Sequence, residues 1–315
     1  MNRRHLLAGL AALPAAARAA EPAGRDIRFI IPYGAGGGFD LAVRSFAPAI
    51  AAHLPPPTRV IPDNITAGGG SLGVAQLYRA RPDGGTLGVI NIPGMFVLQR
   101  QGAAAYDLAR FSYLGSMGRD AYGIAVAAGS PLRSMADLRA LSASQPIRFT
   151  TTGREGTAFA ATVIAMHLLG LRGRFITGYR GSNDYVVAAI RGDGDAVVAT
   201  LPLLRQMQQG GLLRVLASFE PHSSIAGAED ATSLGQPGLS AIMIERIVAA
   251  PPGLPPAVQT RLAEALAAAR ADPGVRAWAQ GFGTELVART PAEAAALVAA
   301  QGQFYQSWKP ELDAA

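Results

Sequence analysis

The chain has no cysteine and a single lysine, Lys309, among its 315 residues. The first absence rules out disulfides, a thiol nucleophile and thiolate metal sites. The second removes the Gly-Lys-[Ser/Thr] sequence on which a phosphate-binding P-loop depends. The four histidines (His5, His53, His167 and His222) lie far apart and lack a His-x-x-x-His spacing, so no zinc site is expected. Charged residues make up only 16% of the chain. They are scattered singly and not gathered into a basic stripe with interleaved aromatics, which speaks against a nucleic-acid partner. The formal charge is +6, and Arg3, Arg4 and Arg18 supply half of it. There is no Gly-x-Ser-x-Gly nucleophile elbow, and no apolar run approaches the ~20 residues that a membrane span needs.

What is present is a foldable composition: half the residues are hydrophobic, which is far from the disordered class. The length suggests two domains. Residues 1–19 read as a cleavable export signal, with Arg3-Arg4 as the basic start, an apolar stretch at 6–13, and a small-x-small site at Ala17-Arg18-Ala19 for cleavage before Ala20. Two arginines followed by Leu6-Leu7 are also the form read by a twin-arginine exporter. A location outside the cytoplasm, in the periplasm, is expected.

Strand-like and helix-like segments then alternate, the pattern of a parallel α/β sheet. Apolar runs at 27–32, 59–62 and 86–90 read as strands, with helices at 40–53 and 72–79, the first kinked at Pro48. A second α/β unit begins near Tyr122, with strands at 123–128, 148–152, 175–179, 196–200 and 213–219 and a helix at 158–169. Ser134 and Asp137 have the spacing of a capping box. One more strand is expected at 242–250, followed by helices at 257–271, 273–280 and 291–308.

Three glycine-rich turns each follow a strand and open a helix: PYGAGGGFD at 32–40, NITAGGGSLG at 64–73 and TTGREGT at 151–157. This places them at the carboxyl ends of strands, where open α/β sheets bind ligands. The first N–H groups of a helix are unpaired, and the dipole there favours anions. Three such ends in one cleft hold carboxylates without needing an arginine, and Ser71, Thr151, Thr152 and Thr157 add hydroxyls. A single turn of this kind often only closes a tight corner; three shift the balance toward a binding site. A dinucleotide fingerprint fails at Phe39, which stands where the last glycine belongs, although Asp63 could imitate the ribose-binding acid. Asp193 and Asp195 read as turn residues, and His167 as a packed or surface side chain. Glu245-Arg246 reads as a local ion pair or as a presentation of Arg246 to an anion.

With these motifs in view, the chain resembles the Bug family, the solute receptors of tripartite tricarboxylate transporters. The resemblance runs in order through IRFIIPYGAGGGFD, PDNITAGGGSLG, RPDGGTLGV, GSPLRSMADLRAL, TTGREGTAFA, GYRGSNDYVVAAIRGDGDAVV, APPGLPPAV and ADPGVRAW. It implies a type II periplasmic-binding-protein fold, a Venus flytrap of two α/β domains joined by two crossover segments. Domain 1 would comprise residues 25–122 plus 246–315, with the C-terminal segment packed back on it, and domain 2 residues 123–245. It implies a monomer without cofactor or metal, binding a small carboxylate for a membrane transporter of the tripartite tricarboxylate type. Ligand-lining residues would be Tyr33, Gly34, Ala35 and Asp40 in the first turn; Ala67, Gly68, Gly69 and Ser71 in the second; Thr151, Thr152, Gly153 and Thr157 in the third; and Tyr179 and Thr200.

The chain departs from the family at Tyr33-Gly34-Ala35, where Phe-Pro-Pro is usual, and at Phe39, where Thr or Ser is common. It also departs at Ala199, in place of an aspartate, and at Glu245-Arg246, in place of an aromatic pair. These positions bear on the ligand and leave its identity open among di- and tricarboxylates, acidic amino acids and aromatic acids. Two other roles compete with transport: sensing for a membrane signalling protein, and an exported enzyme on the same fold. The latter lacks a convincing nucleophile–base pair, so no catalysis is expected.

Overall fold

The computed structural model describes residues 24, 26–100, 104–154, 156–179 and 181–315. The expected export signal at 1–19 lies outside them, as does Arg180. The first part of the chain alternates β1 (Ile27–Ile31), α1 (Gly38–Ala52), β2 (Val60–Asn64), α2 (Ser71–Arg79), β3 (Thr86–Ile92) and α3 (Gly94–Arg100). β1 lies between β2 and β3, parallel to both. It is almost continuously apolar because helices cover both faces. Phe29 and Ile31 pack with Val43 and Phe46 of α1, while Ile30 packs with Val74 and Leu77 of α2. α1 runs through Pro48 without interruption.

Next come β4 (Ser112–Ala127), α4 (Met135–Ser144), β5 (Ile147–Thr150), α5 (Thr157–Leu169), β6 (Gly173–Ile176), α6 (Ser182–Ile190), β7 (Ala196–Thr200), α7 (Leu201–Gln209) and β8 (Leu213–Ser218). The chain ends with β9 (Met243–Ala250), α8 (Pro256–Ala269), α9 (Pro273–Phe282), α10 (Pro291–Ser307) and α11 (Lys309–Ala314). Ser134 and Asp137 form the expected reciprocal capping box on α4. The strands form one curled sheet in the order β2-β1-β3-β9-β4-β7-β5-β6, with β8 also paired to β4. This is a mixed α/β architecture.

β4 is the element that the sequence concealed. A strand was expected from 123, but β4 begins at Ser112 and has 16 residues. Its first part pairs antiparallel with β9, from Ser112 opposite Ala250 to Ala121 opposite Met243. Its last part pairs with β7 and β8. The early segment, SYLGSMGRDA, has neither the alternation nor the apolar run of an ordinary strand. The pairing register slips around Gly115 and Gly118, at φ +150° and +151°. A Cβ there would stand 2.9 Å from the Arg289 carbonyl oxygen and 3.0 Å from that of Glu285. Glycine lets the segment before α10 lie directly on the bulged strand.

The end of the chain reaches two of the hydrophobic cores. Ala294 and Val298 of α10 join the core built on β1 and β3. Tyr305, near the other end of α10, and Leu312 of α11 join the core built on Ile147, Phe149, Phe159 and Val163. Trp308 faces His167 with ring centroids 6.1 Å apart, and Arg154 donates to the Ala315 carbonyl at 2.6 Å. Both ends of α10 bear apolar side chains, so one helix serves two cores. The sequence pattern shows the helix but not the change of partner.

Substituting Gly118 by alanine should lower stability by about 1–3 kcal/mol, through backbone strain and the Glu285 contact. A urea unfolding curve should show this as a lower midpoint at unchanged slope.

A candidate ligand site at three glycine-rich turns

The first turn is built around Asp40, in the first turn of α1 and only 2% exposed. Its carboxylate accepts from the Gly36 N–H at 2.8 Å, Arg44 Nε at 2.9 Å and Asn64 Nδ2 at 3.0 Å. Asn64, the last residue of β2, also donates to the Tyr33 carbonyl at 2.9 Å. Burial opposes ionisation of Asp40, but these hydrogen bonds and the Arg44 charge outweigh it and hold its carboxyl below the usual range. Asp40 was expected among the ligand-lining residues. Its acceptor positions are instead used within the protein, where it braces the loop against β2. Gly34 and Ala35 are exposed.

The second turn rests on the first. Gly68, Gly69 and Gly70 all have positive φ, and a Cβ on Gly70 would come within 2.6 Å of the Pro32 carbonyl oxygen. Only glycine allows that approach. Ala67, Gly68 and Gly69 are exposed, and Ser71 opens α2.

In the third turn Thr151 is fully buried. The Oγ1 atoms of Thr151 and Thr152 are buried without a hydrogen-bond partner among the described residues. A Cβ on Gly156 would fall 1.9 Å from Thr152 Oγ1, so the turn closes tightly over that hydroxyl beside Gly153. Thr157 opens α5.

Asn91 joins the first and third turns. Its Nδ2 donates to the Tyr33 hydroxyl at 2.7 Å and lies 3.5 Å from Thr157 Oγ1. Its Oδ1 accepts from the Gly94 N–H at 3.4 Å. A Cβ on Gly94 would lie 2.5 Å from Asn91 Nδ2 and 2.6 Å from Thr157 Oγ1, so there is no room for a larger residue. Burial raises the Tyr33 hydroxyl well above its usual range, against the Asn91 hydrogen bond. Sequence reasoning missed Asn91, although a signal was there: it is the only polar side chain in the later part of an otherwise apolar strand, LGVINI.

Parts of all three turns therefore converge. The helices they open (α1, α2 and α5) have no side-chain cap, whereas α4, α9 and α10 are capped by Ser134, Asp272 and Thr290. α6, α7 and α8 are also uncapped, so it is the convergence that distinguishes the turns. Two predicted residues are engaged elsewhere. Tyr179 donates to Asp193 at 3.0 Å, and Thr200 ends β7 opposite Tyr122. A groove of about 710 Å³ between α5, β6 and α11 is lined by none of the predicted ligand residues. Nor is a cavity of about 140 Å³ between α3 and α10.

Glu245 and Arg246 do not pair with each other. Adjacent strand residues point to opposite faces, so Glu245 meets Arg289 while Arg246 meets Asp120 at 2.6 Å. Asp195 pairs with Arg148 at the start of β7, and His167 bonds the Val163 carbonyl. Among the described residues no cluster of His, Cys, Asp or Glu could hold a metal, and no helix is long and apolar enough to cross a membrane.

The sequence model for the receptor of the tripartite tricarboxylate transporter family matches residues 43–307. The chain belongs to that family. A UPF0065 protein of Cupriavidus necator is 27% identical over 291 residues, covering 88% of this chain and 87% of that protein. Among solved structures, the periplasmic binding protein BugD superposes with a TM-score of 0.77 at 20% identity, over 91% of this receptor chain and 97% of BugD. MatC from Rhodopseudomonas palustris, with bound malate, gives 0.76 at 17% identity, over 91% and 99%. An R. palustris protein with adipate gives 0.78 at 20%, over 92% and 97%. At such identities these structures establish the fold alone. The family is one of transporter receptors.

Asp40→Asn should cost about 1–3 kcal/mol at pH 7, the price of weakening charge-assisted bonds. The folded carboxyl titrates below its ordinary 3.8, so its contribution is present above that pH and is lost as pH falls through the folded value. Unfolding curves of both proteins should therefore converge as the pH is lowered below about 4.

Proposed function

We propose that this receptor captures a small carboxylate between the three glycine-rich turns and delivers it to a membrane transporter of the tripartite tricarboxylate type, without catalysing a reaction on it. The observation that carries this reading is the junction at Asn91, which ties Tyr33, in the loop leading to α1, to Thr157 at the uncapped start of α5, with the second turn resting on the first. Main-chain N–H groups at such starts favour anions. The buried, unpaired hydroxyls of Thr151 and Thr152 supply donors that lack a partner within the described protein. Malate and adipate in two structural relatives are the same class of ligand.

In this reading Tyr33, Gly34, Ala35, Ala67, Gly68, Gly69, Ser71, Thr151, Thr152, Gly153 and Thr157 contact the ligand, and Asn91 joins them. Asp40 shapes the first turn, and Tyr179 and Thr200 lie at the margin. The ligand would sit between two lobes, residues 25–122 with 246–315 and residues 123–245. This division is supported by β4, which pairs with β9 up to Ala121 and with β7 and β8 from Tyr122 on. The chain would work as a monomer after export.

Thermal melting of the mature protein against di- and tricarboxylates, acidic amino acids, nicotinate and benzene dicarboxylates tests the reading. A ligand at a hundred times its Kd should stabilise the fold by about 2.7 kcal/mol. Asn91→Ala should weaken the best ligand at least tenfold, since it frees both Tyr33 and Thr157. A panel without any response would overturn the carboxylate assignment, and undiminished binding by Asn91→Ala would remove the junction from the site.

A further inference from the structure

Arg246 is an arginine with only 2% of its surface exposed, at the place where β9 passes β4. Its Nη2 donates to Asp120 Oδ2 at 2.6 Å, and its Nη1 lies 3.2 Å from Thr284 Oγ1. Thr284 in turn donates to the other oxygen of Asp120. The guanidinium carbon stands 5.0 Å from the ring centre of Phe39 and 5.6 Å from that of Phe282. Two aromatic faces therefore hold the cation between them. Phe39 in turn leans on Tyr33, with ring centres 4.6 Å apart.

Two further facts place this cation at the ligand turn. A Cβ on Gly38, the first residue of α1, would lie 3.3 Å from Arg246 Nη2. The guanidinium is thus pressed against a helix start, where a positive charge is disfavoured and a negative one favoured. In addition, the buried Nε–H has no partner among the described residues. The neighbouring charges cancel in pairs: Asp40 with Arg44, Glu245 with Arg289 and Arg119 with Glu285. Only Asp120 opposes Arg246, and it does so on one edge of the guanidinium.

We propose that Arg246 is a specificity-determining residue of the carboxylate site: it sets a buried positive charge against the start of α1, and Asp120 limits how much of that charge the ligand feels. The inference rests on the carboxylate-receptor reading above. A pair that served only to brace the crossing strands would behave differently, because loss of either partner would then do similar harm. Charge tuning instead gives the two partners opposite signs. Removing Asp120 leaves the arginine unopposed and tightens anion binding. Removing Arg246 leaves a buried carboxylate that repels the ligand.

The test is calorimetric titration of the full mature chain with adipate, malate and the neutral diamide of adipic acid, with circular dichroism to verify folding. Asp120→Asn should bind the dianions at least threefold more tightly than the wild type. Arg246→Gln should bind them at least tenfold more weakly, and neither should change its response to the diamide. Arg246→Lys keeps the charge without the planar fork, and should keep the preference for adipate over the diamide within threefold. Matching losses in Asp120→Asn and Arg246→Gln would overturn the inference and leave the receptor reading standing. If those two variants do not fold, Arg246→Lys decides alone: a tenfold loss of the adipate preference overturns it. A wild type that answers neither these acids nor the wider carboxylate panel overturns both readings.

Discussion

The pairing of β4 with β9 is the constraint on which the rest of the molecule depends. Each strand is antiparallel to the other, and β4 continues beyond the shared stretch to pair with β7 and β8. The two parts of the sheet are thereby held at a fixed register. A one-residue slip would turn Arg246 to the opposite face and bring Glu245 into the place beside Asp120. Buried ion pairs of this kind add little net stability, because desolvation offsets the attraction, but a wrong partner is costly. Asp120–Arg246 and Glu245–Arg289, on opposite faces of β9, therefore specify the register more than they strengthen the fold.

Upon this frame the three turns are held together by close main-chain approaches and few side chains. Glycine at Gly70 lets the second turn touch the first, and the small residues at Gly94 and Gly156 let hydroxyls and main chain close in. Asp40 is spent on architecture, organising Gly36, Arg44 and Asn64, which leaves the adjoining main chain to face outward. A site made this way is tuned by a few side chains behind the turns, and ligand preference can change while the framework persists.

Most elements were legible from periodicity and turn chemistry. The strand at Ala196–Thr200 was read with its bounds, α5 and α10 to within a residue or so, and the capping box at Ser134 with both its members. The three turns were legible because each glycine cluster falls between a strand-like and a helix-like segment. What escaped depends on tertiary contacts. The first part of β4 is a strand only because β9 lies beside it and Gly115 and Gly118 accommodate the slips. Asn91 gains its meaning from Tyr33 and Thr157, which are 58 and 66 residues away. The hydrogen bonds of Asp40 to Asn64 and Arg44 escaped because the local sequence shows only an acid at a helix start.

The shared packing of α10 has a consequence for how the protein is assembled. The two ends of this helix require surfaces assembled from segments far apart in sequence. It cannot seat fully until both surfaces exist, so its docking comes late in folding and reports that the earlier steps succeeded. A chain in which either core is misformed leaves one end of α10 without its packing surface, Ala294 and Val298 at one end or Tyr305 at the other.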